Sequence, residues 1–286
     1  MTTAATPVAH VRVAGGGLGP DVRAVRVVWR RELLRFFRNR LRLVASLAQP
    51  VLFLFVLGTG LATLMPSSGG VNFRTFLFPG ILAMTVLFTA LFSAISIVWD
   101  REFGFLREML VAPVRRGAIV VGKSCGGATT AVLQGAVMLL FAGVVGVPYS
   151  PDLFFVLLGE MALLAFALTA FGVLLASRMT QIESFQAVMQ FLVMPMFFLS
   201  GAMFPAAGLP AWLAVLTRLD PLAYGVDPMR RAVFAHVATP AQLAQRLNPG
   251  MTWFGWHLPV TLELGLVAAG ALGALLLAIW QFSKTE

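Results

Sequence analysis

The chain has 286 residues, of which 59% are hydrophobic and only 12% charged, with a formal net charge of +9 and a mean hydropathy of +0.87. Soluble domains are roughly a quarter charged, so this composition cannot clothe a water-facing surface and points to an integral membrane protein. The single cysteine, Cys125, excludes an intrachain disulfide and a multi-cysteine metal cluster.

Residues 1–23 are polar and glycine-rich, with no apolar core before a cleavage site, and read as a disordered tail rather than a signal peptide. The stretch 24–41, "AVRVVWRRELLRFFRNRL", is basic and amphipathic: Val25, Val28, Trp29, Leu33, Phe36 and Phe37 share one helical face, and Arg26, Arg30, Arg31 and Arg38 the other. Such a helix is expected to lie in the membrane interface with its arginines toward lipid phosphates. Six apolar stretches follow, at about 43–64, 77–99, 120–146, 153–177, 185–204 and 259–282, each long enough to cross ~30 Å of hydrocarbon. Inside a bilayer only a helix satisfies all backbone groups within one segment, so the fold class is all-α integral membrane with six transmembrane helices.

The cations are unevenly placed. Sixteen of the 21 lysines and arginines lie in the N-terminal region, the 100–123 loop, at Arg178 and at Lys284; Arg74, Arg218, Arg230, Arg231 and Arg246 lie on the other side. The positive-inside rule then puts both termini in the cytoplasm.

Residues 117–124 read "GAIVVGKS", a literal match to a phosphate-binding loop. A working loop needs a strand before it and a helix whose N-terminus faces the phosphates. Here Pro113 precedes it and an apolar span follows, and no soluble domain is left to form an ATPase core. Lys123 reads instead as a flank residue snorkelling from the third span. "ISIVWD" (95–100) echoes a metal-binding strand, yet it closes an apolar span.

The loop "DREFGFLREMLVAPVRR" (100–116) places Phe103, Leu106, Met109 and Leu110 on one face of a short helix amid charges, a form suited to a groove in a cytosolic partner. Glu160 and Glu263 fall inside spans, without a basic residue at the same depth, and read as structural or interfacial groups ahead of a proton path. His10, His236 and His257 lack metal-ligand spacing, and no catalytic constellation is present. The stretch 205–258, with Pro205, Pro210, Pro221 and Pro228, reads as a broken, re-entrant hairpin of half-helices on the outer side. In the fifth span, Gln186, Gln190, Met194 and Pro195 suggest a face turned from lipid, opposite Gln49, Gly58 and Gly60 of the first; two copies are expected to meet there, with the substrate near the seam.

Several segments together resemble the permease subunits of type-2 ABC exporters, among them drug-resistance and nodulation-factor exporters: "FPG" (78–80), "WDREFG" (99–104) leading into "LVAP" (110–113), "GK" (122–123), "FLSGAMFP" (198–205), "LPAWL" (209–213) and "DPLAYGVDPMR" (220–230). The resemblance spans residues 24–286 as one transmembrane domain. It implies an N-terminal connecting helix, a coupling helix between spans two and three, and a permease dimer on two copies of an ABC ATPase. ATP and Mg would be held by that partner, and none by this chain. The coupling positions it marks are Arg101, Glu102, Phe103, Gly104, Leu106, Arg107, Glu108 and Pro113. Two departures from the family pattern are Gly104-Phe105-Leu106-Arg107 where Gly-Thr-Leu-Glu is usual, and Asp220-Pro221 where Asn-Pro is usual. The implied cargo is a lipophilic small molecule or a lipid-linked glycan. A proton-driven carrier and a non-transporting membrane scaffold are the readings from other classes.

Overall fold

The computed structural model describes residues 18–60, 72–105, 114–204, 210–237, 240, 242, 247–253 and 256–284, and nearly all of them are helical. Helix α1 (Leu18–Arg38) starts ahead of the expected boundary at residue 23. Helix α2 (Arg40–Leu52) runs through one π-helical turn, Phe53–Leu57, to Gly58–Gly60. Pro50 sits just before that turn; lacking an N–H, it interrupts the regular hydrogen-bond ladder. Helices α3 (Phe73–Ser93) and α4 (Ile95–Glu102) form one apolar rod broken only by a turn at Ala94.

Helix α5 (Arg116–Leu139) ends in turns and a short 3-10 segment, Gly143–Val145, which Gly146 closes at φ 82°. Helix α6 (Pro151–Ala176) opens with Pro151 at its first position, and the Ser150 hydroxyl accepts from the Leu153 N–H. Then come α7 (Ile182–Leu199), α8 (Ala211–Leu219), α9 (Ala223–His236), a minimal antiparallel pair β1 (Thr252–Trp253) and β2 (Trp256–His257), and α10 (Val260–Lys284).

Helix α3 is the hub. Almost every residue from Phe73 to Leu87 is buried, because α5, α6, α9 and the first span pack around it. Helices α5 and α6 pack on each other, and α10 lies against α6. The rim helices α7 and α10 are mostly exposed along apolar faces, as lipid-facing elements are.

Among the described residues, five stretches are long and apolar enough to cross a membrane: Leu43–Gly60, Phe73–Glu102, Pro151–Ala176, Ile182–Leu199 and Val260–Lys284. They correspond to five of the six expected spans. The remaining one, expected at 120–146, is helical only over Arg116–Leu139. Its 24 residues suffice in length, but Lys123, Gln134, two threonines and five glycines make it too polar to qualify by composition. These residues face protein rather than lipid: Gly122, Lys123, Ser124, Gly126, Gly127, Thr130 and Gln134 are buried.

Candidate functional site

Glycine spacing fixes the arginine-rich end of the bundle. A side chain at Gly122 would lie 2.8 Å from Val28 Cβ, and one at Gly126 would lie 2.6 Å from Glu32 Cβ. The two glycines, one helical turn apart, thus form the groove on α5 in which α1 lies. Trp29 Nε1 donates to Thr129 Oγ1 across the contact at 3.0 Å. Helix α1 is therefore held against protein along this face, with Val22, Val27 and Phe37 left exposed on others.

Lys123 completes the joint, and the expectation of a snorkelling residue is corrected. It is 3% exposed. Its Nζ lies 2.6 Å from Asp100 Oδ2, 3.1 Å from Glu32 Oε1 and 3.1 Å from Ser96 Oγ. Asp100 Oδ1 in turn accepts from Arg31 Nη2 at 2.9 Å and Arg35 Nη2 at 3.3 Å. Arg31 thus reaches a carboxylate of α4 rather than only lipid phosphate. Buried Asp100 and half-buried Glu32 leave Lys123 no reason to seek the interface, since an ammonium in a dry site is stabilised by paired charge. The "GAIVVGKS" segment lies inside one helix, its last glycine filled against α1 and its lysine committed to Asp100 and Glu32; it does not fit a nucleotide phosphate.

The same end carries the start of the expected coupling segment. Arg101 Nη1 donates to Met179 O at 2.8 Å, and Glu102 Oε2 accepts from the Ile182 N–H at 3.0 Å. Arg101 thus ties the exit of α4 to the link before α7, and Glu102 ties it to the first residue of α7. Gly104 then takes a left-handed φ of 80°, which turns the chain out of the helix. Phe103 is left 62% exposed with its ring edge-on to Trp99, centroids 5.8 Å apart, and Phe105 is exposed beside them. Leu106, Arg107, Glu108 and Pro113 lie outside the described residues. Arg116 donates to Phe282 O at 3.0 Å, which brings the C-terminal turn of α10 to the same end.

Between α1, α2, the α3–α4 break and α5 lies a cleft of about 860 Å³. Gln134 anchors its floor, accepting from the Thr89 hydroxyl and donating to Ser46 Oγ. Phe36, Phe88, Phe92 and Trp99 line its walls. Gln49 and Gln186 both open onto it.

The expected seam residues divide. Gln186, Gln190, Met194 and Pro195 lie on one exposed face of α7 with Phe191 and Phe198, whereas Met189 and Met196 are buried. Gly58 is buried within its own chain, where a side chain would meet Arg74 Cγ at 2.9 Å.

At the opposite end, Arg230 is buried, donates to Gly201 O at 2.7 Å and Ala202 O at 3.2 Å, and sits 4.3 Å over the Phe76 ring. Burial pulls its guanidinium down to about 10, so it remains a cation at neutral pH. Asp227 accepts from Arg231 Nη2 at 2.6 Å, Asn248 Nδ2 at 2.6 Å and the Met251 N–H at 3.0 Å. Burial pushes the Asp227 carboxyl up, but Arg231 outweighs it and holds the group below the ordinary value. Arg231 Nη2 also reaches Glu263 Oε1 at 3.1 Å, so the expectation that Glu263 lacks a basic neighbour is corrected. Spacing within the chain hides this pair, because the contact joins α9 to α10. Asp220 accepts one backbone bond from Leu222, and burial raises its carboxyl to about 8.

A family model described as ABC-2 type transporter matches residues 23–234. Among similar proteins, "Nodulation protein J" of Rhizobium leguminosarum bv. trifolii is 31% identical over 212 residues, covering 73% of this chain and 80% of its own. "Putative transport permease ycf38" of Cyanophora paradoxa is 30% identical over 213 residues, covering 71% of this chain and 72% of its own. "Nodulation protein J" of Sinorhizobium fredii is 30% identical over 209 residues, covering 72% and 79%.

Proposed function

The chain belongs to the ABC-2 type transporter family, and on that premise we propose that it is the permease subunit of an exporter that moves a lipophilic small molecule out across the cytoplasmic membrane. Two copies pair, each bound to an ABC ATPase that carries ATP and Mg. Both termini and the joint around Lys123 face the cytoplasm, in keeping with the clustering of arginines there.

The observation that carries the reading is the aromatic platform Trp99–Phe103–Phe105. It stands exposed where the second span leaves the bundle, on a stem that Arg101 and Glu102 fasten to α7 and that Asp100 fastens to α1 and α5. Exposed aromatics at the end of a rigid stem suit a groove in a soluble partner. Movement of that partner is passed to the second and fifth spans together, because Glu102 and Ile182 are hydrogen-bonded. The face of α7 bearing Gln190 and Met194 meets the second copy, since a carboxamide is costly against hydrocarbon.

Inside-out vesicles from cells expressing this chain with its ABC ATPase test the reading. ATP should drive uptake of a lipophilic fluorescent compound, and a protonophore should leave uptake unchanged. Uptake that ignores ATP and collapses with the proton gradient would instead make the chain a secondary carrier.

A further inference from the structure

The cleft beneath α1 holds polar groups that the protein leaves unmatched. The carboxamides of Gln49 and Gln186 line it from two spans, and neither makes a hydrogen bond among the described residues. Gln49 is half-buried and Gln186 exposed at the cleft's rim, so each carboxamide is open to water, lipid or a ligand. The floor hydroxyls already donate inward, Ser93 to Ala90 O and Thr130 to Gly127 O, and keep lone pairs free to accept. Charge, by contrast, is matched within the wall. Glu32 is bound to Lys123 at 3.1 Å, and Arg35 is bound to Asp100 at 3.3 Å. An ionic ligand would compete with pairs already formed, while an uncharged one would not. The volume of about 860 Å³ lies within the range of pockets that enclose drug-sized molecules, roughly 300–1,000 Å³, and below what a long glycan needs.

We propose that this cleft, formed within a single chain, binds an uncharged amphiphile of drug-like size. Its amide or hydroxyl groups meet Gln49 and Gln186, and its apolar part lies along Phe88, Phe92 and Trp99. The inference rests on the export reading and names its substrate class, yet binding to the cleft requires no ATPase and can be measured alone.

The probe is a cysteine at Phe88 in a Cys125→Ser background, with the chain in phosphatidylcholine nanodiscs and alkylation by an uncharged maleimide as readout. N-octanoyl-N-methylglucamine, octyltrimethylammonium and octyl phosphate are compared at equal free concentration. The neutral compound should slow alkylation far more than either ion. Gln49→Leu with Gln186→Leu should raise the concentration needed about tenfold or more, the loss of two hydrogen bonds. Gln186→Leu alone should give part of that shift, which checks that the double variant retains its fold. Equal protection by all three compounds, no protection, or an unchanged neutral response in the double variant would overturn the proposal. So would a disulfide between two chains through the residue-88 cysteine, since the second copy would then fill the cleft. If ATP-driven uptake in vesicles persists while the cleft shows no neutral preference, the cleft assignment alone fails. If the cleft binds as described but uptake ignores ATP, the export reading fails instead.

Discussion

Lys123 shows how far one side chain can mislead and then inform. In the sequence it stands in a glycine-rich octamer that spells a phosphate loop; in the structure it neutralises Asp100 and Glu32. Replacing it with Ala breaks the buried pair with Asp100 and takes from half-buried Glu32 its nearest cation; breaking a buried pair costs about 3–5 kcal/mol. Lys123→Ala should therefore unfold at a clearly lower temperature in detergent, and Lys123→Met with Asp100→Leu should recover part of the loss. Equal stability of the wild type and the single variant would contradict the ion-pair account. Asp220 makes a second prediction. Its folded-state carboxyl is raised from 3.8 to about 8 by burial, so the folded form favours the protonated acid. Its contribution to stability is full below its unfolded value of 3.8 and is lost as pH rises through about 8. Asp220→Asn keeps the shape without the charge and should flatten that part of a stability-against-pH curve. A slope that survives the substitution would show that another group is responsible.

At the scale of elements, spans and their order were legible wherever one helix met lipid on its own terms. Long apolar runs marked Phe73–Glu102, Pro151–Ala176 and Val260–Lys284 within a few residues. Helix α5 was harder to read, because its polar residues answer to α1, α3 and α4, and no local pattern names those partners. Gly122 looked like part of a nucleotide motif for the same reason: close helix approach and phosphate binding both demand glycine. The Glu263–Arg231 contact was illegible, since it depends on how α9 meets α10. Helix α7 falls between these cases. Its glutamines signalled a special face, and that face is exposed, but which methionines share it depended on the helix phase. Here the prediction concerns a second copy. With Cys125 replaced, Gln190→Cys should form a disulfide between two chains in the membrane, whereas a cysteine at buried Leu164 should not. The reverse pattern would place the pairing face elsewhere.

For the whole molecule, the two ends behave differently. At one end a single ion cluster joins α1, α4 and α5, while Glu102 and Arg101 join α4 to the entry of α7. At the other, Arg230 and Arg231 gather α3, the turn after α7, α9 and α10. Force applied at the exit of α4 therefore enters the bundle through named polar contacts and can reach the exposed face of α7. The central claim is that this force comes from a separate ATPase seated on the aromatic platform. The most direct measurement is the ATP turnover and co-purification of that ATPase with the full permease carrying Phe103→Ala. A well-packed aromatic anchor at an interface is worth about 2 kcal/mol or more. We expect the variant, at normal expression and with its thermal unfolding unchanged, to lose most of the bound ATPase or to leave its turnover unresponsive to transported compound. Unaltered binding and unaltered response in Phe103→Ala would contradict the account.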